Sequence, residues 1–113
     1  MADVWNQEVT SYKVDVFRAP TLNYDRQVRL GLANGATVSI SFPSSPPTDY
    51  LSLGASFHQV QLPAHQFDEI VHMLQTEKPV YFTAYELGSP AIRFAGLSTS
   101  TESVGEGLAD ADA

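Results

Sequence analysis

The sequence predicts an α+β fold in which an antiparallel sheet of about six strands packs against one amphipathic helix, in the order β-β-β-β-α-β-β. Several segments of the 113-residue chain alternate between apolar and polar residues, which is typical of strands with one buried face. One segment, from Phe67 to Leu74, instead has the spacing of a helix. Asn34-Gly35 stands between two alternating segments and is a strong signal for a β-hairpin. Together these features predict a single domain over residues 1–100.

The alternating segments set the predicted bounds of the strands, which are rich in β-branched and aromatic residues. We predict strands over residues 10–18, 27–32, 36–42, 51–62, 80–87 and 91–98. Neighbours along the chain should pair antiparallel through short connections. The apolar positions of segment 51–62 change parity after Phe57, so we expect a bulge near His58 and Gln59.

The hairpin at Asn34-Gly35 has a register that the buried face should decide. A two-residue loop would pair Leu30 with Ser39, and each face of the sheet would then mix apolar and polar side chains. A three-residue loop over 33–35 pairs Leu30 with Val38 instead. We therefore predict the longer loop, with Gly35 in the left-handed conformation and a bulge beside it.

The predicted helix begins at Pro63 and runs to about Glu77. Proline suits a first helical position, and Lys78-Pro79 ends the segment. Its apolar stripe is formed by Phe67, Ile70, Val71 and Leu74. One helix covers one face of the sheet, so the other face is left for solvent, a ligand or a second subunit.

The composition excludes several classes of site. The chain has no cysteine, which excludes disulfides, thiolate metal sites and cysteine nucleophiles, and we expect no cofactor. Its net charge is −7, and the last twelve residues carry four acids and no base: Glu102, Glu106, Asp110 and Asp112. We predict a disordered acidic tail over 101–113. Residues 1–100 hold nine acids and six bases, which disfavours tight, non-specific binding to nucleic acid.

The sequence carries no targeting signal that we recognise. Residues 1–6 have neither a basic start nor an apolar stretch, so we expect no secretory signal. No segment approaches the roughly 20 apolar residues that span a bilayer. We expect a soluble, cytoplasmic protein that does not contact a membrane.

The stretch from Gln27 to Leu74 resembles a known superfamily. It combines the hairpin at Asn34-Gly35, a proline-containing connection, a strand closing on Leu62, and a proline-led helix with an aromatic residue, Phe67, in its first turn. This pattern resembles the Whirly-like and transcriptional-coactivator superfamily, whose members pair into dimers and bind single-stranded DNA. In length and over residues 74–80 the chain is also similar to small proteins of photosynthetic bacteria placed in that fold. The resemblance implies a Whirly-like homodimer.

The outward face of the sheet is the first candidate site. Lys13, Arg29 and Arg93 should lie on it, and Tyr81 and Tyr85 share one face of their strand. Bases and aromatic rings together can hold a single nucleic-acid strand. In the DNA-binding members of the superfamily this face carries many more bases, and here Lys and Arg are diluted by acids and hydroxyls. An ordinary solvated sheet face, with the tyrosines under a loop or at a dimer interface, is the alternative.

Three histidines raise two further hypotheses. His65, Glu69 and His72 lie on one face of the predicted helix and form a weak surface candidate for a metal, although that face should be open to water. His58 follows Ser56 by two residues on one predicted strand, but an orienting acid and an oxyanion hole are missing. We therefore predict no metal site and no catalytic residue.

The sequence as a whole favours a non-enzymatic, dimerising binding module. Its charge favours an unidentified protein partner, and weak binding of single-stranded nucleic acid through the outward sheet face is the alternative. Trp5 is predicted to anchor the N-terminus on the core.

Overall fold

A computed structural model describes residues 3–45, 50–87 and 92–100, with only the backbone of Ile92. It is an α+β structure of seven strands and one short helix. The strands are β1 (Val4–Val16), β2 (Arg26–Leu32), β3 (Thr37–Ser41), β4 (Leu51–Leu53), β5 (Phe57–Gln61), β6 (Val80–Leu87) and β7 (Ile92–Thr99). A 3₁₀ turn, Ala64–Gln66, leads into helix α1 (Phe67–Thr76). The predicted acidic tail, residues 101–113, lies outside the described residues.

The strands form one mixed sheet in the order β4-β5-β3-β2-β1-β6-β7. Strands β3 and β5 are parallel and the other pairs are antiparallel, so the prediction of a wholly antiparallel sheet is wrong. After β3 the chain crosses to the sheet edge, forms β4 there and returns as β5 between β4 and β3. The sheet curves until its two edges approach each other, and the hydroxyl of Tyr50 donates a hydrogen bond to the carbonyl of Arg93 across the gap (2.9 Å).

The predicted single strand over residues 51–62 is two strands. A tight turn separates β4 from β5, and the amide of Gly54 donates to the carbonyl of Phe57 (3.1 Å). A Cβ atom at Gly54 would lie 2.5 Å from that carbonyl oxygen, so the turn requires glycine. The change of parity after Phe57 therefore marks a hairpin turn, and the expected bulge near His58 and Gln59 is wrong.

The β2–β3 hairpin has the predicted register. Leu30 faces Val38 and Val28 faces Ile40 across the pair. Leu32 donates its amide to the carbonyl of Ala36, so the loop has three residues. Gly35 has a φ of +88°, which confirms the left-handed position.

Strand β1 begins six residues earlier than predicted and changes partner along its length. Residues 4–8 pair with β6, whereas residues 9–16 pair with β2. The register shifts between Val4 and Gln7 on one side and between Val9 and Ser11 on the other. Between the first two lies Asn6, whose φ of +47° is rare for a residue with a side chain. These irregularities bend β1 and join the two halves of the sheet.

Helix α1 closes the core with its predicted stripe. Ile70 is buried, and Phe67, Val71 and Leu74 pack against the buried sheet residues. The rings of Phe67 and Phe42 meet edge to face with centroids 5.1 Å apart. Pro63 has an extended ψ of 143° and precedes the helix instead of opening it. The 3₁₀ turn Ala64–Gln66 lies between Pro63 and the start of α1 at Phe67.

Candidate functional site

Two of the five predicted sheet-face residues lie together around an acid. Lys13 on β1 faces Arg29 on β2, and both are exposed on the outer face, as predicted. Asp15 lies 3.0 Å from Arg29 Nε and 3.8 Å from Lys13 Nζ. The hydrogen bond from Arg29 is the main cause that lowers the pKa of Asp15, followed by the one from Gln27. The charges of both bases are therefore already engaged.

Arg93 does not share this face, so that prediction is wrong. It pairs with Glu86 across β6 and β7, and its Nε lies 2.8 Å from the carboxylate of Glu86. Its neighbour Phe94 faces Tyr85 and lies on the outer face. The parity of β7 is inverted because Ala95 and Leu97, and not Phe94, pack against the core.

The two tyrosines do share the outer face of β6, but they lie apart from Lys13 and Arg29. Tyr81 lies opposite Glu8, and Tyr85 lies opposite Phe94. Lys13 is five residues beyond Glu8, the partner of Tyr81, on β1, a separation of up to about 17 Å at the rise of a strand, and Tyr85 lies further away on β6. The five predicted residues therefore do not form one surface.

The outer face carries instead a stack of three aromatic rings across β1, β6 and β7, here called the aromatic stack: Trp5, Tyr85 and Phe94. The rings of Trp5 and Tyr85 have centroids 4.5 Å apart and an interplanar angle of 10°. Those of Tyr85 and Phe94 are 5.3 Å apart at 11°. Trp5 is 53% exposed and Phe94 45% exposed. The prediction that Trp5 anchors the N-terminus on the core is therefore wrong. The buried Val4 takes that place.

The bulge in β1 holds Trp5 in this position. Asn6 donates its amide to Thr83 Oγ1 (3.1 Å), and the Thr83 hydroxyl donates to Asn6 Oδ1 (3.0 Å). These two hydrogen bonds tie the left-handed backbone of Asn6, next to Trp5, to the neighbouring strand β6. Bulges and left-handed residues with side chains are concentrated at binding sites, where they redirect a side chain.

A depression of about 270 Å³ lies beside the aromatic stack. Besides the three rings, its walls include the polar side chains of Asn6, Thr83 and Ser98, and all its lining residues are uncharged. Aromatic faces bind planar or cationic groups, and the amide and hydroxyl groups offer hydrogen bonds. The arrangement can bind a ligand with a flat apolar part and a hydrogen-bonding group.

The helix histidines lie where the sequence predicts. His65, Glu69 and His72 are all exposed on the face of the helix segment that points away from the core. Within residues 3–45, 50–87 and 92–100, no group of three or more histidines and acids could hold a metal ion.

His58 is buried in the core and does not act with Ser56. Its Nδ1 accepts a hydrogen bond from the amide of Gly54 (3.3 Å), while Ser56 lies exposed in the turn. Burial lowers the pKa of His58, so the ring is neutral near pH 7. The environment is that of a core histidine.

The sequence contains only weak signals for the aromatic stack. Asn6, Gln7 and Glu8 interrupt the alternation of the N-terminal segment, so that part of β1 is not predicted as strand. In β7 the two parities are Ile92 and Phe94 against Ala95 and Leu97, and both are apolar. Only the tertiary structure brings the three rings together.

Searches against protein-family models, curated proteins and solved structures found no match to this chain. The resemblance to the Whirly-like superfamily therefore stays a prediction. In the part of the chain that the structure describes, no helix is both long and apolar enough to cross a membrane.

Proposed function

We propose that this protein is a non-enzymatic binding module that recognises a protein partner through the aromatic stack. The observation that supports it is the ordered array of Trp5, Tyr85 and Phe94 over a bulged strand, in which Trp5 and Phe94 are exposed and Tyr85 is half-buried between them. Tryptophan and tyrosine dominate the binding energy of protein interfaces because they bury much apolar area with few rotatable bonds. A domain that only needed a stable sheet would gain nothing from leaving half of an indole in water.

Charge favours a protein over a nucleic acid as the partner. No Lys or Arg lines the depression, and among the described residues Lys13, Arg26, Arg29 and Arg93 each lie within 4 Å of a carboxylate. Single-strand binders combine stacking rings with free cations that neutralise phosphates. The chain has the first feature and lacks the second at this place.

The first test is capture of the partner from the native cell by the full-length protein. Trp5→Ala and Phe94→Ala each remove one ring from the aromatic stack and should abolish capture or reduce it at least fivefold. Phe57→Ala is the matched control, since Phe57 is 47% exposed on β5 outside the stack and should not matter. Thermal unfolding of all three variants shows that each is folded. Equal capture by the wild type and the Trp5→Ala variant would exclude the proposal.

Weak binding of single-stranded nucleic acid remains the second candidate, because stacked, exposed rings are also what bases require. Its test is titration with a twelve-residue oligo-dT at low salt. Binding through phosphates should weaken steeply as salt is raised. No binding at low salt removes this candidate.

We also propose, on the resemblance alone, that the protein is a homodimer. Size-exclusion chromatography with light scattering should then give twice the chain mass of 12.3 kDa. A single chain mass at a concentration of about 1 mM, above the dissociation constant of even a weak dimer, excludes it.

A further inference from the structure

We infer that the aromatic stack binds an arginine side chain in a short segment of its partner, with the guanidinium group against the free face of the Trp5 indole. This inference rests on the proposed function, since it names the chemistry of the partner at the same site. Four features of the described residues carry it: the size of the surface, the geometry at the end of the stack, an arginine–ring contact elsewhere in the chain and the charge around the stack.

The size of the aromatic stack fits a short segment and not a second globular chain. Trp5 and Phe94 are about half exposed and Tyr85 is less exposed. Since an aromatic side chain has about 150–250 Å² of surface, the three rings together offer at most roughly 300 Å². A stable interface between two globular proteins needs about 800 Å² from each partner. A few residues of an extended segment cover an area of the smaller size.

The geometry leaves one face of Trp5 available. Trp5 lies at one end of the stack, so Tyr85 covers one face of its indole and the side chain stays 53% exposed. Tryptophan is the best of the aromatic residues for binding a cation over its face. A flat guanidinium group can stack parallel to the indole, whereas the compact ammonium group of lysine stacks less well.

The same chemistry already occurs within the chain. The guanidinium carbon of Arg26 lies 5.1 Å from the centroid of the Phe67 ring. Arg26 also pairs with Asp25 (3.2 Å), so an arginine, a ring and a carboxylate are combined there. Trp5 offers a ring, with the acid Asp3 two positions before it along the chain, and the arginine is the component that a partner would supply.

The charge around the aromatic stack favours a cation. Asp3 precedes Trp5 by two residues, which places both side chains on one side of the extended chain, and Glu8 lies on the outer face opposite Tyr81. Asp3 Oδ1 accepts the amide of Glu86 (3.4 Å), and no base among the described residues pairs with Asp3 or Glu8. The net charge of −7 further attracts a basic segment.

The test uses the fluorescence of Trp5, which is the only tryptophan in the chain. The full-length protein is titrated with a blocked peptide, Gly-Ser-Arg-Gly-Arg-Ser-Gly, at low salt. Two matched peptides carry lysine or the uncharged citrulline in place of both arginines. The arginine peptide should change the emission saturably. Its affinity should exceed that of the lysine peptide at least threefold and that of the citrulline peptide at least fivefold.

Two carboxylate variants locate the charge that matters. Asp3→Asn should lower the affinity for the arginine peptide about threefold and reduce the salt dependence of that binding. Asp68→Asn is the control, since Asp68 is an exposed acid on α1 away from the stack, and it should leave the affinity unchanged. Peptide binding that depended on the acids of residues 101–113 would not weaken in the Asp3→Asn variant.

Several results would overturn the inference. These are equal affinities for the arginine and citrulline peptides, equal affinities for arginine and lysine, equal effects of the Asp3 and Asp68 variants, or tighter binding of oligo-dT in the same assay. The inference alone fails if capture of the partner still depends on Trp5 but the arginine peptide does not displace the captured partner. If capture does not depend on Trp5, the proposed function fails with it.

Discussion

His58 shows how a single buried side chain makes stability depend on pH. It is 2% exposed on the core side of β5, opposite Val38 on β3. Its Nδ1 is used as an acceptor by the amide of Gly54, so a second proton on the ring would break that hydrogen bond and place a charge in the core. The folded state therefore binds this proton more weakly than the unfolded chain does.

We expect the free energy of unfolding to fall as the pH drops below the ordinary histidine pKa of 6.5, because burial lowers the pKa of His58 in the folded state. Well above pH 6.5 both states are neutral at this ring and it contributes no slope. His58→Leu should flatten the dependence between pH 7.5 and pH 5.5, measured by urea denaturation. The amide of Gly54 keeps its bond to Phe57 in that variant.

The control for this prediction is His65→Gln, which removes an exposed histidine and should leave the slope as in the wild type. Parallel loss of stability in the wild type and in His58→Leu would show that other groups cause the dependence.

At the scale of elements, the β2–β3 hairpin is held by local chemistry. The amide of Gly35 donates to the carbonyl of Leu32, and the amide of Ala36 donates to Asn34 Oδ1 (3.0 Å). The left-handed φ at Gly35 brings the chain back in register, and nothing lies within 4 Å of the place where a Cβ would stand. The requirement for glycine there comes from the backbone alone.

Gly35→Ala should therefore destabilise the protein by about 1 to 2 kcal/mol, the usual cost of the left-handed region for a residue with a Cβ. Thermal or urea unfolding measures the change. Gly96→Ala is the matched control, since its added Cβ would make an ordinary contact 3.5 Å from the ring of Phe94. It should be close to neutral. Equal costs at the two positions would mean that the turn does not depend on the left-handed conformation.

At the scale of the whole molecule, a hydrogen bond joins the two edges of the nearly closed sheet. Tyr50, just before β4, reaches the carbonyl of Arg93 on β7. This contact joins residues 43 positions apart and protects part of an exposed strand edge. Helix α1 then covers the core between the two halves of the sheet.

Tyr50→Phe should cost about 1 kcal/mol, because it removes one partly buried hydrogen bond and keeps the ring. Tyr12→Phe is the control, since Tyr12 is 40% exposed, makes no side-chain hydrogen bond in the described structure, and should change stability little. Hydrogen exchange of the β7 amides should also speed up in the Tyr50 variant only. Unchanged exchange would show that the sheet edges are held together by other contacts.

Much of the local structure follows from the sequence alone, because its causes are local. The stripe on α1, the three-residue turn at Gly35 and the pairing of Val28 with Ile40 each depend on residues within about a dozen positions of one another. The sequence likewise determined the charge and the absence of cysteine. The exposure of His65, Glu69 and His72 followed from helical periodicity.

Only the tertiary structure decided the features that depend on distant partners. The parallel pairing of β3 with β5 requires a crossover whose direction no local pattern specifies. The face of Phe94 was set by the competition of Ala95 and Leu97 for the core, and Trp5 reached Tyr85 because β1 is bent at Asn6. The contact between Trp5 and Tyr85 spans eighty residues of sequence, so burial and strand pairing, and not periodicity, created the aromatic stack.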